Sequence, residues 1–182
     1  MSQDMFPRTK FRRLGYRPEQ VDGYFTTAHE IYEAGELEEM DSEGVRTVAF
    51  SVVPGGYDPV AVDSALDRLE AAFLQRRRAD FVAEHGRKAW MDRVAQLATT
   101  LYPRLLRPAG KRFAPARGKG YLVSEVDDFM DRVAAYFDSA ASLSSAEART
   151  ITFRAGRGHK GYDEQSVDRY LARVVEVLLS VE

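Results

Sequence analysis

The segment Gly161-Tyr162-Asp163-Glu164-Gln165-Ser166-Val167-Asp168 decides the fold, because its pattern Gly-Tyr-x4-Val-Asp occurs four times in the 182 residues. A fixed internal repeat indicates that one structural unit is used several times. We number the four copies in chain order. The repeated residues are Gly15, Tyr16, Val21 and Asp22; Gly56, Tyr57, Val62 and Asp63; Gly120, Tyr121, Val126 and Asp127; and Gly161, Tyr162, Val167 and Asp168.

The spacing of the copies indicates that a two-copy module was duplicated. Successive motif glycines are separated by 41, 64 and 41 residues, so the two pairs have equal internal spacing. The sequence therefore predicts two domains, residues 1–107 and residues 108–182, each holding one pair of copies. Each copy is also preceded by a phenylalanine: Phe6, Phe50, Phe113 and Phe153.

The motif has the residue pattern of a helix start. In copy two, Asp58 fits the N-cap and Pro59 the first helical position. Tyr57 then precedes the cap and Val62 takes the fourth helical position, which is the spacing of a hydrophobic staple. In copy four, Asp163 takes the same N-cap position.

Other motif residues are interpreted as structural. Copies one and three have Arg17 and Leu122 at the cap, so we expect weaker helix starts there, by about 1 kcal/mol each. The glycine before each tyrosine is expected at a turn that needs a positive φ. The aspartate after each valine falls in the second helical turn, where it suits a hydrogen bond or salt bridge back to the loop better than a catalytic role.

Apolar residues after each valine recur at +3, +4, +7 and +11, which is typical of one face of an amphipathic helix. The sequence shows no sustained strand alternation. It therefore predicts an all-α fold of tandem helical repeats, in which two pairs of loop-plus-helix units associate as short parallel coiled-coil-like modules. The helices are predicted over residues 18–34, 59–84, 87–106, 123–140 and 163–181.

Composition limits the classes of function. The chain has a net charge of −2, no cysteine, and no apolar stretch near the ~20 residues that a membrane span needs. These properties, with an N-terminus unlike a signal peptide, favour a cytoplasmic protein. His29, His85 and His159 lack metal-ligand spacing. Residues 156–161 lack the Gly-Lys-Ser/Thr ending of a phosphate loop, so we expect no metal, no cofactor and no enzymatic activity.

The motif segments resemble the N-terminal membrane-targeting domain of the DivIVA family of bacterial cell-division and polar-growth proteins. The motif of that family consists of a phenylalanine, a loop, Arg-Gly-Tyr, an acidic helix start and Val-Asp-x-Phe-Leu, in that order. The strongest match is Phe153 followed by Lys160-Gly161-Tyr162-Asp163-Glu164 and Val167-Asp168-Arg169-Tyr170-Leu171. The resemblance covers about half the chain, and four copies in register make it specific.

The resemblance implies a parallel dimer whose loops cross at one end and place an apolar side chain, flanked by basic residues, in the membrane. In copy one, such a tip is Lys10-Phe11-Arg12-Arg13-Leu14, which suits an anionic bilayer. The other loops are either uncharged or basic with little apolar surface. The full set of candidate membrane or partner contacts is Lys10, Phe11, Arg12, Arg13, Leu14, Val52, Val53, Arg117, Lys119, Arg154, Arg157 and Lys160.

Two functional classes remain open from sequence. The first is a scaffold or adaptor at the inner face of the cell membrane or at the division machinery, with protein partners. The second is a soluble module that binds nucleic acid or an acidic protein through Arg76-Arg77-Arg78 and the acid-free basic stretch 104–119. Aromatic residues interleave poorly with these cations, which disfavours base stacking and disfavours nucleic acid as the partner. Self-association stays open, because the duplication could replace a dimer within one chain.

Overall fold

The computed structural model describes residues 4–10, 12–35, 45, 48–138 and 141–182. The chain divides into two compact units, unit 1 (Met1–Phe81) and unit 2 (Val82–Glu182). The sequence placed this boundary after residue 107. The boundary lies earlier because Leu101 and Leu105 belong to the core of unit 2, together with residues far downstream.

Unit 1 begins with strand β1 (Leu14–Tyr16) and helix α1 (Pro18–Ala34), followed by strand β2 (Val52–Pro54) and the first part of helix α2 (Pro59–Thr99). The two strands pair antiparallel, with Gly15 opposite Val53. Helix α1 has Arg17 at its N-cap without a side-chain hydrogen bond. Helix α2 starts with the Asp58 carboxylate accepting from the Val60 N–H at 3.0 Å, as predicted for an N-cap.

The two helices of unit 1 run in the same direction, starting from the antiparallel ribbon that β1 and β2 form. Val21 and Val62, each in the second turn of its helix, share one buried cluster with Tyr57. Further along, Ala28 of α1 and Phe73 of α2 share a second cluster. The N-terminal turns of α1 and α2 therefore contact each other, and so do their later turns, which makes the helix pair parallel. Burial of these apolar faces is the main stabilising term of the unit.

Unit 2 contains the rest of α2 and helices α3 (Tyr102–Leu105), α4 (Val123–Phe137), α5 (Ser145–Thr150) and α6 (Glu164–Val181). Its strands are β3 (Lys119–Leu122), β4 (Ala155–Arg157) and β5 (Gly161–Tyr162), with a 3-10 turn at Gly158–Lys160. They form an antiparallel sheet in the order β4-β3-β5. Gly86 interrupts α2 with a φ of 84°, at the break that the sequence predicted.

The core of unit 2 is built from α2, α3, α4 and α6. Trp90 and Val94 of α2 are buried, and the Trp90 indole N–H donates to the carbonyl oxygen of Ser180 at 3.1 Å. The far end of α6 is tied to the start of α5, since the Glu182 carboxylate accepts from the Ser145 N–H at 2.8 Å.

The structure corrects the predicted all-α fold. The chain is mixed α/β, because small antiparallel sheets of two and three strands join the helices. The glycine interpretation is also wrong. Positive φ occurs at other glycines, and none of the four motif glycines has a positive φ. Gly56 is required instead by close approach: a Cβ there would lie 2.5 Å from the carbonyl oxygens of Gly15 and Tyr16.

Across the described ranges, we find no helix with both the length and the apolar character needed to cross a lipid bilayer.

We predict that Gly15→Ala destabilises the protein, whereas Gly23→Ala stabilises it. A Cβ on Gly15 would lie 2.7 Å from the carbonyl carbon and oxygen of Gly56 and closer still to the Tyr57 oxygen. Relieving this overlap requires backbone shifts that cost about 1–3 kcal/mol. Gly23 lies inside α1 with no atom within 4 Å of its Cβ position, so alanine there adds about 1 kcal/mol.

The measurement is the free energy of unfolding in urea for both variants. The pair is matched because each adds one methyl group to a glycine of copy one. Equal effects of the two substitutions would contradict the crossing of the backbones at Gly15.

Candidate functional site

The two copies in each unit are joined by reciprocal tyrosine–aspartate hydrogen bonds. The hydroxyl of Tyr57 donates to Asp22 at 3.1 Å, and the hydroxyl of Tyr162 donates to Asp127 at 3.1 Å. The opposite pairs also form, from Tyr16 to Asp63 and from Tyr121 to Asp168. Every motif tyrosine therefore bonds the motif aspartate of the other copy, and this assigns the aspartates a structural role.

The phenylalanine upstream of each copy also packs on the tyrosine of the other copy. Phe6 lies 5.5 Å from Tyr57 between ring centroids, and Phe113 lies 5.3 Å from Tyr162. The remaining pairs are Phe50 with Tyr16 at 5.5 Å and Phe153 with Tyr121 at 5.4 Å. Tilted and edge-to-face pairs of this kind are favourable geometries for aromatic rings. The loops consequently cross, and each copy completes the other.

Backbone hydrogen bonds repeat this exchange in both units. Tyr16 and Tyr57 exchange N–H to carbonyl bonds of 2.9 and 2.8 Å. The Ser51 N–H donates to the Gln20 side chain at 2.8 Å, and the Arg154 N–H donates to Glu125 at 2.6 Å. Gln20 and Glu125 each directly precede the motif valine, so the two units use equivalent positions for equivalent bonds.

Unit 2 adds a buried ionic network at its crossing. Arg112, 6% exposed, donates to the Asp127 carbonyl oxygen at 2.6 Å and contacts the carboxylate of Asp131. Asp127, 5% exposed, also accepts from the Gly110 N–H at 2.6 Å and lies 3.8 Å from the Arg112 guanidinium. A buried charge is tolerated when it is paired in this way. The sequence did not identify this network, because it spans loop and helix residues with no recurring spacing.

The described contact residues predicted in copies one and two lie, together with Pro54, at what we call tip 1: Lys10, Arg12, Arg13, Leu14, Val52, Val53 and Pro54. Leu14 and Val52 are 59% and 54% exposed. Leu14 is paired with Pro54 in the ribbon, and Val52 is two residues further along, so all three lie on one face. Lys10, Arg12 and Arg13 are exposed beside them. Phe11 lies outside the described residues.

Four of the residues predicted in copies three and four form a different surface together with His159, which was not predicted as a contact. We call this surface tip 2: Arg117, Lys119, Arg157, His159 and Lys160. All five are exposed, and Lys119 lies directly opposite Arg157 in the β3–β4 ribbon. Arg154 does not belong to tip 2, because its guanidinium is paired with Glu125. The two tips therefore differ in chemistry, since tip 1 is apolar and basic and tip 2 is basic alone.

Much of the basic stretch 104–119 is used internally. Arg104 donates to the Arg112 carbonyl oxygen at 3.0 Å and lies over the Phe113 ring at 4.7 Å. Arg107 donates to the same oxygen at 3.3 Å. In unit 1, Arg76 lies 5.7 Å from the Tyr32 ring centroid and 3.5 Å from Asp80. These cations are therefore poor candidates for binding an external anion.

The described residues show no cluster of three or more histidine and acidic side chains that could hold a metal ion. Residues 156–161 form the end of β4, the 3-10 turn and the start of β5, which is not the strand–loop–helix geometry of a phosphate loop. An open groove of about 480 Å³ on unit 2 is lined by Phe129, Ile151 and Phe153. At its rim, the pairs Glu125–Arg154 and Arg132–Glu147 neutralise each other.

No protein-family model, curated protein or solved structure matches the chain.

We predict that Tyr162→Phe lowers the free energy of unfolding by about 1–3 kcal/mol. Its hydroxyl donates to Asp127 and accepts from the Arg112 N–H at 3.1 Å, and both groups are buried. Removing the hydroxyl leaves two buried polar groups short of a partner. The matched control is Tyr136→Phe in the same unit, a half-buried tyrosine. Urea unfolding of both variants tests the network, and equal stabilities would contradict it.

We also predict that stability falls as pH rises above about 10. Burial is the main cause that raises the pKa of each of the four motif tyrosines above its ordinary value, and nearby aspartates at the crossings raise it further. The folded state then keeps phenol protons that the unfolded state loses above pH ~10, so alkali favours unfolding. The tyrosines concerned are Tyr16, Tyr57, Tyr121, Tyr162 and Tyr170.

Urea midpoints measured from neutral pH to above about pH 10 test this alkaline loss. Tyr162→Phe is expected to make the decline shallower than in the wild type, because one raised phenol pKa is removed. A decline of unchanged steepness in that variant would show that Tyr162 does not contribute to it.

Proposed function

We propose that this chain is a non-enzymatic scaffold or adaptor that contacts an anionic membrane surface through tip 1, as the membrane-targeting domain of DivIVA proteins does. The observation that carries the proposal is the grouping of exposed Leu14, Val52 and Pro54 with Lys10, Arg12 and Arg13 at the crossing of two loops. Peripheral membrane binding needs this combination of apolar insertion and positive charge. Each cation near an anionic bilayer contributes about 1 kcal/mol.

The crossed loops support the proposal in a second way. The DivIVA resemblance implies loops that cross between two chains, and here the crossing forms between copies within one chain. We therefore propose that each unit corresponds to one such dimer and does not need a second chain for this contact. On this proposal the protein is cytoplasmic and peripheral at the inner membrane, where it leaves its helical surfaces for protein partners of the division machinery.

The alternative function is a soluble module that binds an anionic partner through its basic loops. The observation in its favour is tip 2, whose cations are exposed and accompanied by little apolar surface. The alternative is weaker for the stretch 104–119, because Arg104, Arg107 and Arg112 make intramolecular contacts.

We predict that Leu14→Asp reduces binding to anionic phospholipid vesicles by about tenfold or more. Insertion of a leucine contributes about 1.5–3 kcal/mol, and an aspartate would be repelled by the anionic surface. The measurement is co-sedimentation of the full chain with vesicles of phosphatidylglycerol and phosphatidylcholine, with pure phosphatidylcholine vesicles for comparison. The wild type is expected to bind the anionic vesicles more strongly.

The matched control is Leu106→Asp, the same substitution at a leucine of unit 2 that is 79% exposed and lies outside both tips. It is expected to bind as the wild type does. The proposal fails if the wild type does not sediment with anionic vesicles, or if Leu14→Asp and Leu106→Asp bind equally well.

A further inference from the structure

Tip 2 concentrates exposed positive charge. Arg117 and Lys119 lie at the start of the ribbon, with Arg157 opposite and Lys160 in the adjoining turn. Their side chains form no ion pair with a carboxylate in the described part of the chain. The next acid along the chain, Asp163, accepts from the Ser166 N–H at 2.9 Å at the start of α6. Hydrogen bonds from Ser166 are the main cause that lowers its pKa, and the nearby charges of Arg169 and Arg117 lower it further.

The pairing of Lys119 with Arg157 is a direct opposition of like charges. In an antiparallel ribbon, opposite residues lie on the same face and their Cβ atoms are about 5 Å apart. Like charges in this position destabilise the ribbon. An external anion that lies between the two side chains would remove this repulsion, so the arrangement favours a bound partner with negative charge.

The shape of the ribbon narrows the choice of partner. Lys119 lies between Gly118 and Gly120, and Arg157 lies between Gly156 and Gly158. The Cβ positions of Gly118 and Gly158 have no atom within 4 Å, whereas those of Gly120 and Gly156 are crowded by neighbouring chain, so the sheet is open only at this end. At Lys119 and Gly120, strand β3 is paired with β4 alone, and β5 pairs only from Tyr121 onward. The major groove of a nucleic-acid duplex admits a two-stranded end of this kind, and phosphates line both of its sides.

Other anionic partners fit less well. None of the exposed large apolar side chains in the described part of unit 2 lies in tip 2, so it lacks the inserting group of a membrane contact. Tip 2 also has no phenylalanine, tyrosine or tryptophan, and single-stranded nucleic acid is bound mainly by stacking on such rings. A duplex needs neither insertion nor stacking, because its phosphates supply the contact.

We propose that tip 2 binds the phosphate backbone of a nucleic-acid duplex without sequence preference. Lys119 and Arg157 contact phosphates from one face of the ribbon, and Arg117 and Lys160 extend the contact on either side. This site is separate from tip 1, and the proposal does not depend on membrane binding by unit 1.

The test is fluorescence anisotropy of a labelled DNA duplex with the full chain at increasing salt. For the wild type, the logarithm of the binding constant is expected to fall linearly with the logarithm of the salt concentration. In Lys119→Gln, Arg157→Gln the slope is expected to become shallower by about 1.8, roughly 0.9 for each lost cation. The control is Arg12→Gln, Arg13→Gln, which removes the same charge from tip 1 and is expected to keep the wild-type slope.

A charge-preserving variant, Lys119→Arg, Arg157→Lys, separates loss of charge from altered folding, and it is expected to retain duplex binding. Polyglutamate serves as a competitor for the wild type, and phosphatidylglycerol vesicles serve as a competitor for Leu14→Asp, which lacks the inserting side chain of tip 1. Both are expected to compete poorly. The proposal is overturned if the wild type does not bind the duplex, if the two glutamine variants behave alike, or if vesicles or polyglutamate displace the duplex at equal charge concentration.

Discussion

The close approach of backbones at the motif glycines is the constraint on which the rest of the structure depends. At Gly15 and Gly56 the two loops come so near that no Cβ fits on either side. This approach allows each tyrosine to reach the aspartate and the phenylalanine of the other copy. A copy alone would leave a buried hydroxyl and an apolar ring without partners, so the copies are stable only as a pair.

The pairing explains why a chain of repeats folds into two units of two copies. Each copy provides one or two short strands and one helix, and none of these elements is long enough to bury its apolar face alone. The crossing also sets the direction of the helices, because both leave the sheet from the same end. Within unit 2 the buried Arg112–Asp127 pair strengthens this arrangement, whereas in unit 1 the Asp22 Oδ1 has no hydrogen-bond partner among the described residues.

The local parts of this fold could be predicted from sequence, and the long-range parts could not. Helix starts such as those at Asp58 and Asp163 depend on residues within one turn, so their side-chain caps were predictable. The strands have only two to four residues, too few for an alternating pattern. Their partners lie in a different copy, as Gly15 and Val53 do. Tip 1 was predicted as separate loops, but its shared face depends on that register.

The two units share one buried framework but differ in their exposed contact surfaces. Both units keep the same tyrosine, aspartate and phenylalanine exchange, although tip 1 exposes Leu14 and Val52 and tip 2 exposes cations alone. The exchange is buried and tolerates little change, because each substitution leaves a partner unsatisfied. The tips lie beyond the crossing glycines, where side chains contribute little to the core. Duplication of a crossed pair therefore gives one chain two surfaces that can differ in chemistry at small cost to stability.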